Sequence, residues 1–113
     1  MKIIFMGTPD FAVGTLEALI AAGHEITLVV SQPDKPKGRG HEWIPTPVKA
    51  AALAHNLRVY QPANLRNEEA EEVLRSTEAD VIVVAAFGQL IQKSVLEMKK
   101  YGCINVHGSL LPK

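Results

Sequence analysis

Two residues near the end of the chain, Asn105 and His107, stand two positions apart in the stretch GCINVHGSLLPK. Along a strand, side chains at i and i+2 leave on the same face. A strand through Cys103–Val106 therefore aims both towards one side, near its carboxyl end. Asn is a neutral donor that can hold a developing oxyanion, and His can carry a proton near neutral pH. Neither is cheap to bury. Alone, each reads as a hydrogen-bonded Asn or a structural His at a strand terminus. The pair, followed by a Gly turn, points towards chemistry.

Other stretches carry weaker signals. In AAFGQLI, Phe87 and Gly88 follow the most apolar run of the chain. They can line an apolar slot with free backbone groups, which suits a planar heterocycle; a core Phe before a turn Gly explains them equally well. SQPDKPKGRGHEW places Lys35, Lys37 and Arg39 within five positions, interleaved with Pro36 and Gly38. That is either a solvated turn or an arm that meets phosphates, with Gly-Arg-Gly allowing close backbone approach. Trp43 is either a stacking surface or an anchor for the loop. MGTPDF lies where a dinucleotide cradle would, but Gly7 is alone where the G-x-G-x-x-G pattern needs three, and no GK[ST] follows. A tight turn and a helix start account for it. Cys103 lies in an apolar run and reads as core. His24, His41 and His55 are scattered, and no His/Cys/Asp cluster has metal-ligand spacing.

These residues need a scaffold, and the sequence describes one. KIIFM (Lys2–Met6), ITLVV (Ile26–Val30) and VIVVA (Val81–Ala85) are apolar runs expected of strands covered on both faces. Cys103–Val106 is a shorter version, and Arg58–Pro62 the weakest, ended by Pro62. Thr8 can cap a helix with Pro9 at its first position; Ala12, Leu16, Leu19 and Ile20 follow on one face, and Gly23 supplies the stop. Thr46 and Pro47 repeat that opening for a helix to about Asn56. A third helix starts at Asn67, with Glu68 and Glu69 at the positive end of its dipole and Val73 and Leu74 on its buried side. A short fourth covers Lys93–Met98. The order β-α-β-α-β-α-β-α-β specifies an α/β fold: an open, mostly parallel twisted sheet with helices on both faces. Ligands bind such sheets at the strands' carboxyl ends, where all four stretches above fall. The long Ser31–Pro45 segment is expected to be a mobile loop.

The 113 residues are one domain's worth, with 12 basic and 12 acidic side chains. That balance argues against a broad basic field coating nucleic acid, though not against a local basic contact. A single cysteine permits no internal disulfide and fits a reducing compartment. The longest apolar run, Val81 to Phe87, falls far short of the roughly 20 residues of a membrane helix, and no targeting signal is visible. A soluble cytoplasmic protein is expected.

The blocks IIFMGTPDFAV, QPDKPKGRG, PTPVKAAA, VIVVAAFGQLI and GCINVHGSLLP, in this order along the whole chain, resemble the formyltransferases that use 10-formyltetrahydrofolate. Within that group they are similar to the N-terminal domain of the methionyl-tRNA formyltransferase family. The resemblance implies a truncated Rossmann-like formyltransferase fold. Residues 1–113 would be the N-terminal portion of the catalytic domain; the rest of that domain and a C-terminal barrel are absent from this chain. The implied reaction, in translation initiation, moves a formyl group from 10-formyltetrahydrofolate to the α-amine of methionyl initiator tRNA, with no metal and no covalent enzyme intermediate. Asn105 would bind the carbonyl oxygen and His107 would assist proton movement. Ala86, Phe87, Gly88, Gln89 and Leu90 would line the pterin pocket, and Ser109 and Leu110 would shape the site. Lys35, Lys37 and Arg39 would meet the tRNA acceptor stem, Arg39 foremost. No membrane and no stable protein partner are implied.

Two departures accompany the resemblance. The family continues basic after Gly-Arg-Gly, whereas this chain has His41-Glu42-Trp43, and a carboxylate there repels phosphate. The family's catalytic Asp comes from a segment beyond position 113, so this chain is expected to be a fragment with little activity of its own. Two rival readings share the residues: a folate-dependent formyltransferase acting on an amino-sugar nucleotide, and a non-catalytic folate- or nucleotide-binding module. TPDF and PKGRG favour the tRNA enzyme. A third possibility is self-association through an exposed apolar strand edge.

Overall fold

A computed structural model of the chain describes residues 1–37 and 42–106. Five strands form one all-parallel sheet: β1 (Lys2–Gly7), β2 (Glu25–Val30), β5 (Val59–Tyr60), β6 (Val81–Ala85) and β7 (Cys103–Asn105). Their spatial order is β5-β2-β1-β6-β7. The chain winds outward from β1, then returns to lay β6 on the other side of β1. The order of strands thus reverses between β1 and β6, the position at which sheets of this kind open a crevice.

Helices cover both faces. Helix α1 (Asp10–Ala21) and α2 (Pro47–Ala54) pack Ala12, Leu16, Val48 and Ala52 against Ile3, Phe5, Val29 and Val83. Helix α3 (Glu68–Ser76) and the single turn α4 (Lys93–Leu96) pack Ala70, Leu74 and Val95 against Ile4, Met6, Leu28, Ile82 and Val84. Strand β6 is buried at every position, as its unbroken apolar run requires.

The caps divide. Thr46 Oγ1 accepts from the Lys49 N–H at 3.1 Å with Pro47 opening α2, and Asn67 accepts from the Ala70 N–H at 2.7 Å at the start of α3. Both match the sequence reading. Thr8 does not cap α1. Pro9 occupies the N-cap without a side-chain bond, and the Thr8 hydroxyl instead donates to the Phe87 carbonyl at 2.7 Å. The reason is that β1 runs on through Gly7, which leaves Thr8 beside the end of β6, where a buried carbonyl needs a donor.

Three further differences have local causes. Register shifts between Ile3↔Ile26 and Ile4↔Leu28, so Thr27 is a bulge; its hydroxyl donates to the Ile3 carbonyl at 3.3 Å. The bulge sends Ile26 and Val29 to one core, and Leu28 and Val30 to the other. The Ser31–Pro45 segment, read as a loop, contains an antiparallel hairpin of β3 (Lys35–Lys37) and β4 (Glu42–Ile44), with Pro36 opposite Trp43. Helix α2 ends at Ala54 rather than Asn56, where the backbone turns left-handed (φ 60°).

Gly7 stands at the crowded start of the β1–α1 turn. A Cβ there would lie 2.8 Å from Ala12 Cβ and 2.9 Å from both the Ala85 carbonyl and the Phe5 ring. Gly7→Ala is therefore expected to lower stability by about 1–3 kcal/mol, the usual cost of overpacking. Urea denaturation checks this, and an unchanged midpoint would show that the turn yields freely.

Candidate functional site

The site is built at the carboxyl ends of β6 and β7. Beyond Ala85 the backbone leaves the sheet through two left-handed residues, Ala86 (φ 57°) and Gly88 (φ 93°). Left-handed geometry is unusual for Ala and is held only where surroundings enforce it. This turn drives Phe87 inward to 2% exposure while Leu90 projects outward at 70%. A cleft of about 520 Å³ opens beside it, lined by Ala86, Phe87, Gly88, Gln89, Leu90 and Asn105, with Val84, Ile91, Leu96 and Cys103 completing it. Phe87 belongs to the core under α3 and α4 and is also among the residues that line the cleft.

Asn105 is paired in register with Val84 on β6. It is exposed, which corrects the expectation of a buried strand. Among the described residues β7 has only β6 as a neighbour, so much of it stays open and Ile104 is 53% exposed. An amide on such a strand is not desolvated and can serve a ligand directly. Cys103 is half-buried against the core, and burial pushes its thiol pKa up. It is a packing residue rather than a thiolate nucleophile. Arg39, His107, Ser109 and Leu110 lie outside the described residues. Lys35 and Lys37 are placed on β3. Among the described residues no group of three His, Cys, Asp or Glu is placed to hold a metal ion, and no helix is long and apolar enough to cross a membrane.

Sequence reading missed the polar network that mounts this turn. Gln32, just beyond β2, donates from Nε2 to the Gly88 carbonyl at 3.2 Å and accepts at Oε1 from Gln89 Nε2 at 3.3 Å. Gln89 Nε2 also donates to the Pro62 carbonyl at 3.0 Å. Gln61 Nε2 donates to the Gln32 carbonyl at 3.0 Å and to Asp34 Oδ1 at 2.7 Å. The available signal was a Gln shortly after each of β2, β5 and β6.

The hairpin is fastened at its base by the same network. Asp34 Oδ2 pairs with Lys49 Nζ at 2.8 Å, and the buried Ser31 hydroxyl meets Thr46 Oγ1 at 2.7 Å. The Lys49 ammonium and then the Gln61 amide hold the Asp34 carboxyl below the usual carboxylate range. A carboxyl depressed on folding adds stability above its unfolded pKa of about 3.9. That contribution is lost as pH falls through the lower folded value. Asp34→Asn should therefore be less stable than the parent at neutral pH, with the gap closing below about pH 4. Urea midpoints at both ends of that range measure it; a gap independent of pH would mean that Asp34 acts without its charge.

All of residues 1–113 match the family described as formyl transferase, and the chain belongs to that family. It is 62% identical over 113 residues to a methionyl-tRNA formyltransferase of Agathobacter rectalis, covering 100% of this chain and 36% of the relative. Against the methionyl-tRNA formyltransferase of Lachnospira eligens the identity is 58% over 113 residues, with the same coverage. Against that of Chromobacterium violaceum it is 57% over 114 residues, covering 100% of this chain and 37% of the relative. The chain thus spans little more than a third of the length of these relatives.

Proposed function

We propose that these residues are the N-terminal portion of the catalytic domain of a longer enzyme that moves a formyl group from 10-formyltetrahydrofolate to the α-amine of methionyl initiator tRNA. The observation that carries this reading is the cleft that gathers Asn105 with the 86–90 turn. Its wall is apolar where Phe87 lies, and the left-handed turn gives it an irregular backbone edge. Apolar walls with a few polar groups suit a planar heterocycle such as a pterin. The relatives' shared name directs the choice of acceptor, and an acceptor used to start translation fits a cytoplasmic reaction.

In this reading the neutral amine attacks the formyl carbon. A C–N bond to the acceptor forms and the formyl oxygen takes up negative charge; as the carbonyl re-forms, the C–N bond to the folate breaks and the folate nitrogen takes up the proton that the amine loses. The Asn105 amide donates to that oxygen, where charge develops. His107, two positions on, carries the proton. Lys35, Lys37 and Arg39 meet acceptor phosphates; such contacts position RNA without reading its sequence.

In the full-length protein, Asn105→Ala and His107→Ala are each expected to cut turnover by about 100-fold or more, while tetrahydrofolate affinity stays within a few-fold of the parent. Single-turnover formylation beside equilibrium binding decides it. Equal loss of binding and turnover would favour a non-catalytic folate-binding module, and formylation of an amino-sugar nucleotide in place of tRNA would move the acceptor. The isolated 113-residue chain is expected to be slower than the full-length protein by several orders of magnitude, since the carboxylate that the resemblance assigns to orient His107 lies beyond it. A comparable rate would remove the need for that carboxylate.

A further inference from the structure

Gln32 uses all four of its hydrogen-bonding groups, on three different connections of the fold. Its N–H donates to Thr8 Oγ1 at 3.3 Å, after β1. Its carbonyl accepts from Gln61, after β5. Its side-chain amide meets Gly88 and Gln89, after β6. The orientation of that amide is fixed. The Gly88 carbonyl can only accept, so Nε2 must face it, and Oε1 is left to face Gln89. Gln89 is fixed in turn, because its Nε2 must serve the Pro62 carbonyl.

The same residue lies at the foot of the hairpin. Only Pro33 and Asp34 separate it from β3, and Asp34 is held by Gln61 and Lys49. The cleft turn contains two left-handed residues, one of them Ala86, a geometry that persists only where neighbours over-determine it. The Gln32 bond to the Gly88 carbonyl is one such determinant. The two are in close contact, since a Cβ on Gly88 would meet the Gln32 amide.

We infer that Gln32 is a positioning residue through which the seat of the hairpin sets the shape of the 86–89 turn, so that an RNA on the hairpin and a planar ligand in the cleft bind with linked affinities. The identities of the two ligands rest on the proposed function; the linkage rests on the hydrogen bonds. Linkage is reciprocal, so either ligand can be used to read it.

The test uses the full-length protein, with tetrahydrofolate as the cleft probe and deacylated initiator tRNA as the hairpin probe. Tetrahydrofolate affinity is measured with and without saturating tRNA. In the parent the two values should differ by about 5-fold or more, the lower end of ordinary coupling. Gln32→Glu keeps the shape but sets an acceptor against the Gly88 carbonyl; Gln61→Met removes the amide that joins Gln32 to Asp34 at the foot of the hairpin. Both should bring the ratio to within about 2-fold of unity. A purely structural role would lower the melting temperature and leave the ratio intact. A ratio near unity in the parent, or one preserved in Gln61→Met, overturns the inference while the proposed function stands, because both probes still bind. Failure of the parent to bind either probe overturns both. Should Gln32→Glu fail to fold, Gln61→Met alone decides.

Discussion

A parallel sheet ends in backbone carbonyls and amides that its own ladder cannot pair, and the working edge of this chain depends on how they are met. The decisive bond runs from the Thr8 hydroxyl to the Phe87 carbonyl. It ties the end of β1 to the end of β6 across the point where the strand order reverses. The Thr8 carbonyl accepts from the Val48 N–H at 3.3 Å, drawing the start of α2 into the same knot. Gly7 is packed against Ala12, Ala85 and Phe5, and Asp10 sets a carboxylate in the first turn of α1. A pyrophosphate would find neither room nor favourable charge there. The open space lies one strand further on, between β6 and β7, where the apolar cleft stands.

The face behind that cleft is held by polar contacts as well as packing. Glu71 accepts from Gln92 at 2.9 Å and from Ser94 at 2.7 Å, joining α3 to the segment around α4. Gln92 also donates to the Leu65 carbonyl at 2.6 Å. At the other end of α3, Lys99 Nζ donates to the Thr77 and Arg75 carbonyls at 2.6 and 3.2 Å, meeting groups that a helix terminus leaves unpaired. Val95 and Phe87 are thereby seated in one core, and the cleft has a fixed floor on that side.

Much of this was legible in the sequence. Long β-branched runs marked three strands, and Thr46-Pro47 and Asn67 marked two helix starts by chemistry confined to neighbouring residues. Phe87 and Gly88 were singled out by their place at a strand's end, Asn105 by its spacing from His107, and Ala86, Gln89 and Leu90 by the resemblance alone. What escaped depended on distant partners. Thr8-Pro9 satisfies the rule for a helix cap, and the carbonyl that outbids α1 for its hydroxyl is 79 positions away. Thr27 is flanked by apolar residues that read as one unbroken strand, yet its bulge decides which core each of them enters. Strands of three residues containing Pro36 give no period to detect. The exposure of β7 follows from its having β6 as its one neighbour among the described residues, which the apolar sequence Cys103–Val106 does not express.

The fastening at the base of the hairpin has an evolutionary side. The Ser31–Thr46 and Asp34–Lys49 contacts close the hairpin segment before its strands begin. Loop-closure entropy grows only slowly with length, so the segment between them can lengthen, shorten or change composition while the sheet and cleft keep their shape. Such a segment is an exchangeable cassette. Rewriting the dozen or so positions of such a segment, roughly the size of an ordinary functional loop, leaves the contacts behind the clasp in place.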